Sequence, residues 1–440
     1  MMGTSRTIEK GPPSGCGRSS RIFYGWWIVV AAFLNLFFSV GVIFYGFPVF
    51  YPAFTAGLGF ARGQVTQGFL LGFLFLGLPC GVLTGAFIDR VGARRVILSG
   101  IGLIGFPLIL MGQMHKLWQY EVLCLLEVVG YTLSGPISNQ VLVSRWFHVR
   151  RGRAMGYAYL GLGLGGVVAP PVMNLLILHF GWRHALEATG TLILVVLFPV
   201  GLWLTRSGPE DMGLRPDGVA SARESDAARG ASWSISAAIR TRNFWLMVAG
   251  PLLVVGAINT VIQHFIYVMK DQGYSSTTAA RYMSVLLASS LGGRVLVGYI
   301  ADHFKKKNTM ALFYLLLAAS IPILYLAQRP VAALSFAVIF GFCMGADYML
   351  IPLVAAECFG IGSLGKLLAL IIMGYTIGQW LAPWIAGRYF DIYHSYHWVW
   401  SGLAVAGVLG AAAIYAISVP SANERTPNLD NQSRLRAEVR

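Results

Sequence analysis

Twelve long apolar runs, separated by polar loops, leave this chain one environment in which to fold. A helix needs about 20 mostly apolar residues to cross the hydrocarbon core of a bilayer. Runs of that kind occupy residues 22–47, 65–88, 96–114, 119–144, 154–178, 184–205, 243–268, 277–303, 309–327, 331–355, 365–387 and 396–418. Only 12% of the 440 residues are charged and 56% are hydrophobic, whereas a soluble domain carries charge on about a quarter of its residues. The runs are continuous rather than alternating, which predicts helices instead of a barrel of roughly ten-residue amphipathic strands. The 52 glycines agree, because small residues let membrane helices approach closely. The first run is too long for a signal-peptide core and no small-residue cleavage site follows it, so it is expected to stay as a span. The expected fold is all-α and integral to a membrane, with twelve transmembrane helices.

Charge sets the orientation. Of the 33 Lys and Arg, 25 fall in the termini and at the ends of spans facing the loops after even-numbered runs, seven fall on the other side, and one, Arg294, falls in the middle of a run. The positive-inside rule then puts both termini in the cytoplasm. The net charge of +15 therefore reads as topology and not as a nucleic-acid surface, since the cations are scattered over successive short loops. Cys16, Cys80, Cys124, Cys343 and Cys358 have no metal-ligand spacing. Neither a paired His/Asp motif nor a nucleophile beside a base is present, so no enzyme activity, metal or cofactor is expected.

The longest polar stretch divides six runs from six. The expected organisation is a cytoplasmic segment 1–21, a six-helix half 22–205, a cytoplasmic linker 206–242, a second half 243–418 and a tail 419–440. One register relates the halves: an offset of 213 residues carries Gly85 and Asp89 onto Gly298 and Asp302, Gly152-Arg153 onto Gly365-Lys366, Gly165 onto Gly378, and Ala169-Pro170 onto Ala382-Pro383. Each half has an even number of spans, so both take the same orientation.

Parallel six-helix halves resemble the major facilitator superfamily. "GAFIDRVGARR", 85–95, is similar to that superfamily's loop signature between the second and third helices, with Gly85, Asp89, Arg90, Gly92, Arg94 and Arg95 in place. The resemblance implies a gating latch there, in which Asp89 faces a helix N-terminus and the arginines pair with acids or lipid phosphates. Gly298 and Asp302 repeat part of it, followed by "HFKKK". "YGWWIVVAAF" (24–33), "RWFHVRRGRAMGYAYLGLGLGG" (145–166), "PEDMGLRPDG" (209–218) and "GADYMLIPLVAAECFG" (345–360) resemble monocarboxylate and oxalate/formate-type carriers.

Arg294 asks for a partner or a wet cavity, because an arginine at a span centre costs about 2.5–3.5 kcal/mol on insertion scales. Its planar fork holds a carboxylate bidentately. The residues alone leave open whether that carboxylate is a substrate or an internal acid, Glu127 or Asp347. The resemblance implies a substrate role, since Arg294 followed by Gly298 matches the eighth-helix pattern of monocarboxylate carriers. Two departures stand out: Ser290 occupies the place of an Asp common in animal members, and 28–50 carries no lysine. Candidate substrate contacts are Arg294, His264, Tyr131, Ser290, Tyr348, Asn259 and Gln263. Glu127, Asp347 and His264 are candidate proton carriers, a desolvated carboxyl favouring its neutral form and a histidine titrating near neutrality. For His264 a solvated interfacial position, and for Asn259 and Gln263 a helix-gluing role, are equally open.

The expected function is alternating-access transport of a small organic monocarboxylate, lactate- or pyruvate-like, in symport with a proton. The carrier is expected to work as a monomer in a cell membrane, a bacterial inner membrane being the first choice. An oxalate/formate-type exchanger is the rival of the same fold, though it calls for a second buried cation. A membrane carboxylate sensor that does not transport is the rival of another class.

Overall fold

The computed structural model describes residues 23–147, 150–214, 235–359 and 364–418. The segments 1–21 and 419–440 and most of the linker 206–242 lie outside the described residues. Nine helices among the described residues are long and apolar enough to cross a membrane. One of them, Gly152–Trp203, turns at Gly181, whose φ of 77° suits glycine, and so makes two spans. Two more helices, 62–91 and Ser276–His303, pack among the nine and complete twelve.

In chain order these are α1 (Gly25–Leu58), α2 (62–91), α3 (Ala93–Met111), α4 (Leu117–Trp146), α5 (151–180), α6 (182–203), α7 (Arg242–Asp271), α8 (Ser276–His303), α9 (Lys306–Leu326), α10 (Pro330–Phe359), α11 (Leu364–Tyr393) and α12 (His397–Tyr415). Several outrun the apolar runs that announce them. α1 continues past residue 47 through Pro48 and Pro52, because both prolines sit at the start of new helical turns where a missing N–H costs nothing. Its hydrogen bonding widens to π-helical over Phe37–Gly46, and α2 does the same over Phe73–Gly77.

The two sets of six helices pack by one plan. α1 lies on α5 as α7 lies on α11, α2 on α4 as α8 on α10, and α3 on α6 as α9 on α12. Glycine makes these crossings possible. A Cβ on Gly165 would collide with the backbone of Phe37 and Gly41 in α1. A Cβ on Gly378, its counterpart at the 213-residue offset, would collide with the carbonyl of Leu252 in α7. Gly293, Gly341 and Gly345 set α8 and α10 backbone to backbone in the same way. Without a hydrophobic drive between helices in lipid, such close van der Waals contact is what holds each half together.

α4 is broken at Gly135, ahead of Pro136. The carbonyls freed by the break are taken by side chains: Asn35 and Asn139 donate their amides to Ser134 O at 2.6 and 2.7 Å, and Asn139 also donates to Gly135 O at 2.8 Å. A membrane helix tolerates such a break where neighbours restore the lost bonds.

Candidate functional site

The helix ends divide the molecule into a terminal face, which carries Phe23, Ser418 and the 85–95 loop, and a far face opposite. Near the far face the halves are sealed by one arginine. Arg62, the first residue of α2, donates two bonds to the Asp271 carboxylate at the end of α7, at 2.6 and 2.7 Å. Its guanidinium lies 3.7 Å from the Phe390 ring centre and 4.3 Å from that of Tyr267, and it donates to the Tyr396 hydroxyl at 3.2 Å. Asp391 of α11 accepts from the backbone N–H groups of Arg62 and Gly63 at 2.9 and 2.8 Å, so one half caps a helix of the other.

Below this network the seam becomes aromatic. Tyr51 donates to Gln263 Oε1 at 2.8 Å, Tyr267 donates to the Tyr51 carbonyl at 2.8 Å, and Thr55 meets the Tyr267 hydroxyl at 2.6 Å. Trp380 of α11 then stacks on Phe73 of α2 at 4.2 Å, with Phe69 and Phe44 around it. Along α5 and α8 the halves meet through Asn174 on Thr277, Ser284 on the Val167 carbonyl, and Gly163 against Leu291.

His264 lies beside this seam, within the second half, and is completely buried. Its Nε2 lies 2.9 Å from the Pro383 carbonyl and its Nδ1 2.9 Å from the Tyr396 hydroxyl. A carbonyl only accepts, so Nε2 carries the proton and Nδ1 accepts from Tyr396. The solvated interfacial position open to it in the sequence is thereby corrected: α11 and α12 cover the ring. Gln263 is a cross-half bond, and Asn259 donates to the Gln379 carbonyl of α11. Of the two roles open to Asn259, helix glue is the one its contact serves.

A second group gathers toward the middle. Arg294 is half-buried in α8, and the Tyr159 phenol of α5 feels its charge. Tyr159 accepts from Gln140 Nε2 at 2.6 Å. Tyr131 of α4 and Tyr375 of α11 are electrostatic neighbours of Tyr159, and Asp347 of α10 neighbours Tyr375. Tyr314 of α9 donates to Asp347 at 2.5 Å. At 1.5 Å of rise per residue, Tyr159, Arg294, Tyr314, Asp347 and Tyr375 stand at similar depth, roughly 12–18 Å from the terminal-face ends of their helices. Both halves thus contribute to one polar layer around a permanent cation.

The other candidates part company. Glu127 is fully buried one turn above Tyr131, and neither of its oxygens has a hydrogen-bond partner among the described residues. Ser290 turns its hydroxyl onto its own helix at Leu287 O, 2.7 Å away, inside the close α8–α10 crossing. The side chain of Tyr348 lies outside the described residues.

The side chains of Asp89 and Asp302, and Gly85 and Gly298 with them, also lie outside the described residues. In the described part of the loop, Gly92 takes φ 89°, and Arg94 donates to the Leu202 carbonyl at the end of α6, with its backbone N–H on Ser207 Oγ. Pairing of Arg94 with an acid or a lipid phosphate is replaced by a cation on a helix C-terminus within its own half. Arg90 and Arg95 are exposed. The motifs at 24–33 and 145–166 meet at the same face, where Phe23, Tyr24 and Trp26 pack on Trp146 and Phe147. They form a brace remote from Arg294.

Sequence reasoning missed Tyr159, Tyr314 and Tyr375, and also Asp271, Asp391, Tyr396 and Trp380. Tyr159 stood inside a quoted motif, so position there was a usable signal. The far-face acids carried none, since Arg62 pairs with residues 209 and 329 positions away.

Comparison with known proteins gives the family. Residues 32–346 match the model of the Major Facilitator Superfamily. Monocarboxylate transporter 13 of Bos taurus is 27% identical over 378 residues, 85% of this chain and 84% of that one. The membrane sensor protein UhpC of Escherichia coli is 26% identical over 363 residues, 78% of this chain and 80% of its own length. Among solved structures, a D-xylose-proton symporter aligns with a TM-score of 0.67 at 17% identity, over 90% of this chain and 98% of that one. The nucleoside transporter NupG aligns at 0.68 with 13% identity, over 90% and 99%. A multi-pass membrane transporter built of two six-helix sets, this chain belongs to the major facilitator superfamily.

Proposed function

We propose that this transporter carries a small organic monocarboxylate, lactate- or pyruvate-like, in symport with a proton. The observation that carries the reading is Arg294, a permanent cation set at the depth of Tyr159 of one half and Tyr375 of the other, with Tyr131 within electrostatic range of both tyrosines. An anion held there gains a charge-assisted, bidentate partner, and the tyrosine hydroxyls supply further donors. The monocarboxylate transporters among its relatives support this choice of substrate class. The anion offsets the charge of Arg294, and a proton travelling with it lowers the net charge that must cross the apolar seam.

The terminal face is assigned to the cytoplasm by its excess of Lys and Arg, in a cell membrane, with a bacterial inner membrane as first choice and the monomer as the working unit. With the far-face seam closed, the state described is then closed toward the outside. Gating belongs to the 85–95 loop and to Gly298 and Asp302 near the terminal face, and to Arg62 at the far face. Gln263 serves the seam, His264 and Asn259 tie α7 to α11 and α12 within the second half, and Tyr131, with Tyr159 and Tyr375, serves the substrate.

Uptake of labelled L-lactate into proteoliposomes under an inward proton gradient tests the proposal. Gradient-dependent flux that falls at least about 100-fold in Arg294→Ala is expected, the loss of one buried charge-assisted contact being worth roughly 3 kcal/mol. Undiminished flux in that variant would sink the anchor role. A second reading follows from the relative that is a membrane sensor: binding of the carboxylate by the intact protein without any flux would favour it.

A further inference from the structure

Glu127 lies in the interior of α4 with no exposed surface and no hydrogen-bond partner for either oxygen among the described residues. On its own helix Cys124 lies about one turn before it and Tyr131 one turn after it, with Tyr120 and Glu121 about two turns before. α1 brings the buried Tyr51 within electrostatic range of it. The helices around it bring no cation to this depth: α1 has none, α2 none between Arg62 and Arg90, and α3 none beyond Arg95. Across the seam, α7 has none between Arg242 and Lys270, its titratable groups being His264 and Tyr267, and α11 none between Lys366 and Arg388. An ionised carboxylate without a donor or a counter-charge costs several kcal/mol or more. The conformation with the far-face seam closed therefore suits the neutral acid.

Tyr51 connects this acid to the seam. Its hydroxyl is given to Gln263 Oε1 across the halves at 2.8 Å, and its carbonyl accepts Tyr267 of the other half. Hydrogen bonds to an ionised acceptor are roughly twice as strong as those to a neutral amide, so a carboxylate at Glu127 competes for the hydroxyl that now bridges the halves.

We infer that Glu127 is the seat of the transported proton, and that losing it draws the Tyr51 hydroxyl from Gln263 and loosens the far-face seam. The proton leaves the Glu127 carboxyl for water, while Tyr51 keeps its own. The inference rests on the proton-coupled reading above and assigns its two ligands to opposite halves: the proton to α4, the anion to α8. By linkage, protonation favours the closed seam to the same degree that closure favours protonation.

Hydrogen exchange of the full-length protein in nanodiscs tests this without any substrate. Segments 51–63 and 263–271 are followed between about pH 8 and pH 5.5, corrected for intrinsic exchange. The wild type is expected to gain at least about fivefold protection as pH falls, and Glu127→Gln to stay protected at both ends. A flat wild-type profile, or a Glu127→Gln protein that keeps the response, would overturn the inference, the latter pointing to His264. Should Glu127→Gln not fold, Glu127→Asp decides: its shorter acid must move the midpoint, and an unmoved midpoint overturns the inference equally. Absence of lactate flux in the wild type would instead sink the substrate class and leave this result standing.

Discussion

The crossings inside each half and the seam between the halves are made of different material. Inside, at α1–α5, α7–α11 and α8–α10, glycine sets backbone against backbone, and the polar bonds at α7–α11, Asn259 on the Gln379 carbonyl and His264 on the Pro383 carbonyl, run from side chain to backbone. Between the halves, Arg62, Asp271, Asp391, Tyr51, Gln263 and Tyr267 exchange side-chain hydrogen bonds, with close glycine approaches at Gly63 on Gly387 and at Gly163 on the Leu291 side chain among them. A backbone contact loses van der Waals energy with nothing in return when it parts. A polar side chain leaving its partner at a membrane face finds water. The first kind suits an interface that stays shut, and the second suits one that opens in every cycle.

The sharpest way to break this comparison is to load both kinds of seam with bulk. Gly165→Leu forces a side chain into the backbone of Phe37 and Gly41. The expected cost is about 3 kcal/mol or more, read as loss of the monodisperse peak in size-exclusion chromatography. Arg62→Ala is the matching change between the halves. Asp271 is 36% exposed, so solvent screening reduces the worth of the pair to about 1–2 kcal/mol. The protein should fold normally while its far-face-open population rises roughly tenfold, seen as a longer spin-label distance between positions 56 and 272. A folding defect as severe as that of Gly165→Leu would erase the distinction.

Two smaller effects sharpen it. Trp380→Ala removes the Phe73 stack, worth about 1 kcal/mol beyond its area, and should shift the same distance distribution less than Arg62→Ala does. Lys306→Ala breaks a pair with Glu357 that lies within one half. It should lower Tm by only a few degrees, consistent with about 0–1 kcal/mol, and leave the far-face distance unchanged.

The spans were legible because a bilayer demands long apolar runs, and the helices fall where the runs do. Their ends were less legible. Pro48 and Pro52 look like stops in "GFPVFYPAF", yet α1 absorbs both by restarting its turns. Arg294 announced itself, since a charge inside an apolar run has few explanations. His264 did not: the same residue at a span end suits water or a buried bridge, and only the covering of α11 and α12 decides. Arg62 was visible only as one cation among the loops, because its acids come from α7 and α11, and nothing local in a sequence records which distant ends meet.

The ring layer of Phe44, Phe69, Phe73 and Trp380 has an electrical consequence. Aromatic side chains closing the seam hold no mobile ions, so where water reaches them from one side, that layer and the network above it form the insulator. A membrane voltage then drops across a thin slab instead of the full bilayer. One elementary charge moved through 100 mV exchanges about 2.3 kcal/mol with the field, and for a charged cargo that work would be concentrated in the step past Trp380. A carrier sealed in this manner senses voltage at its gate, without any charged helix that moves through the lipid.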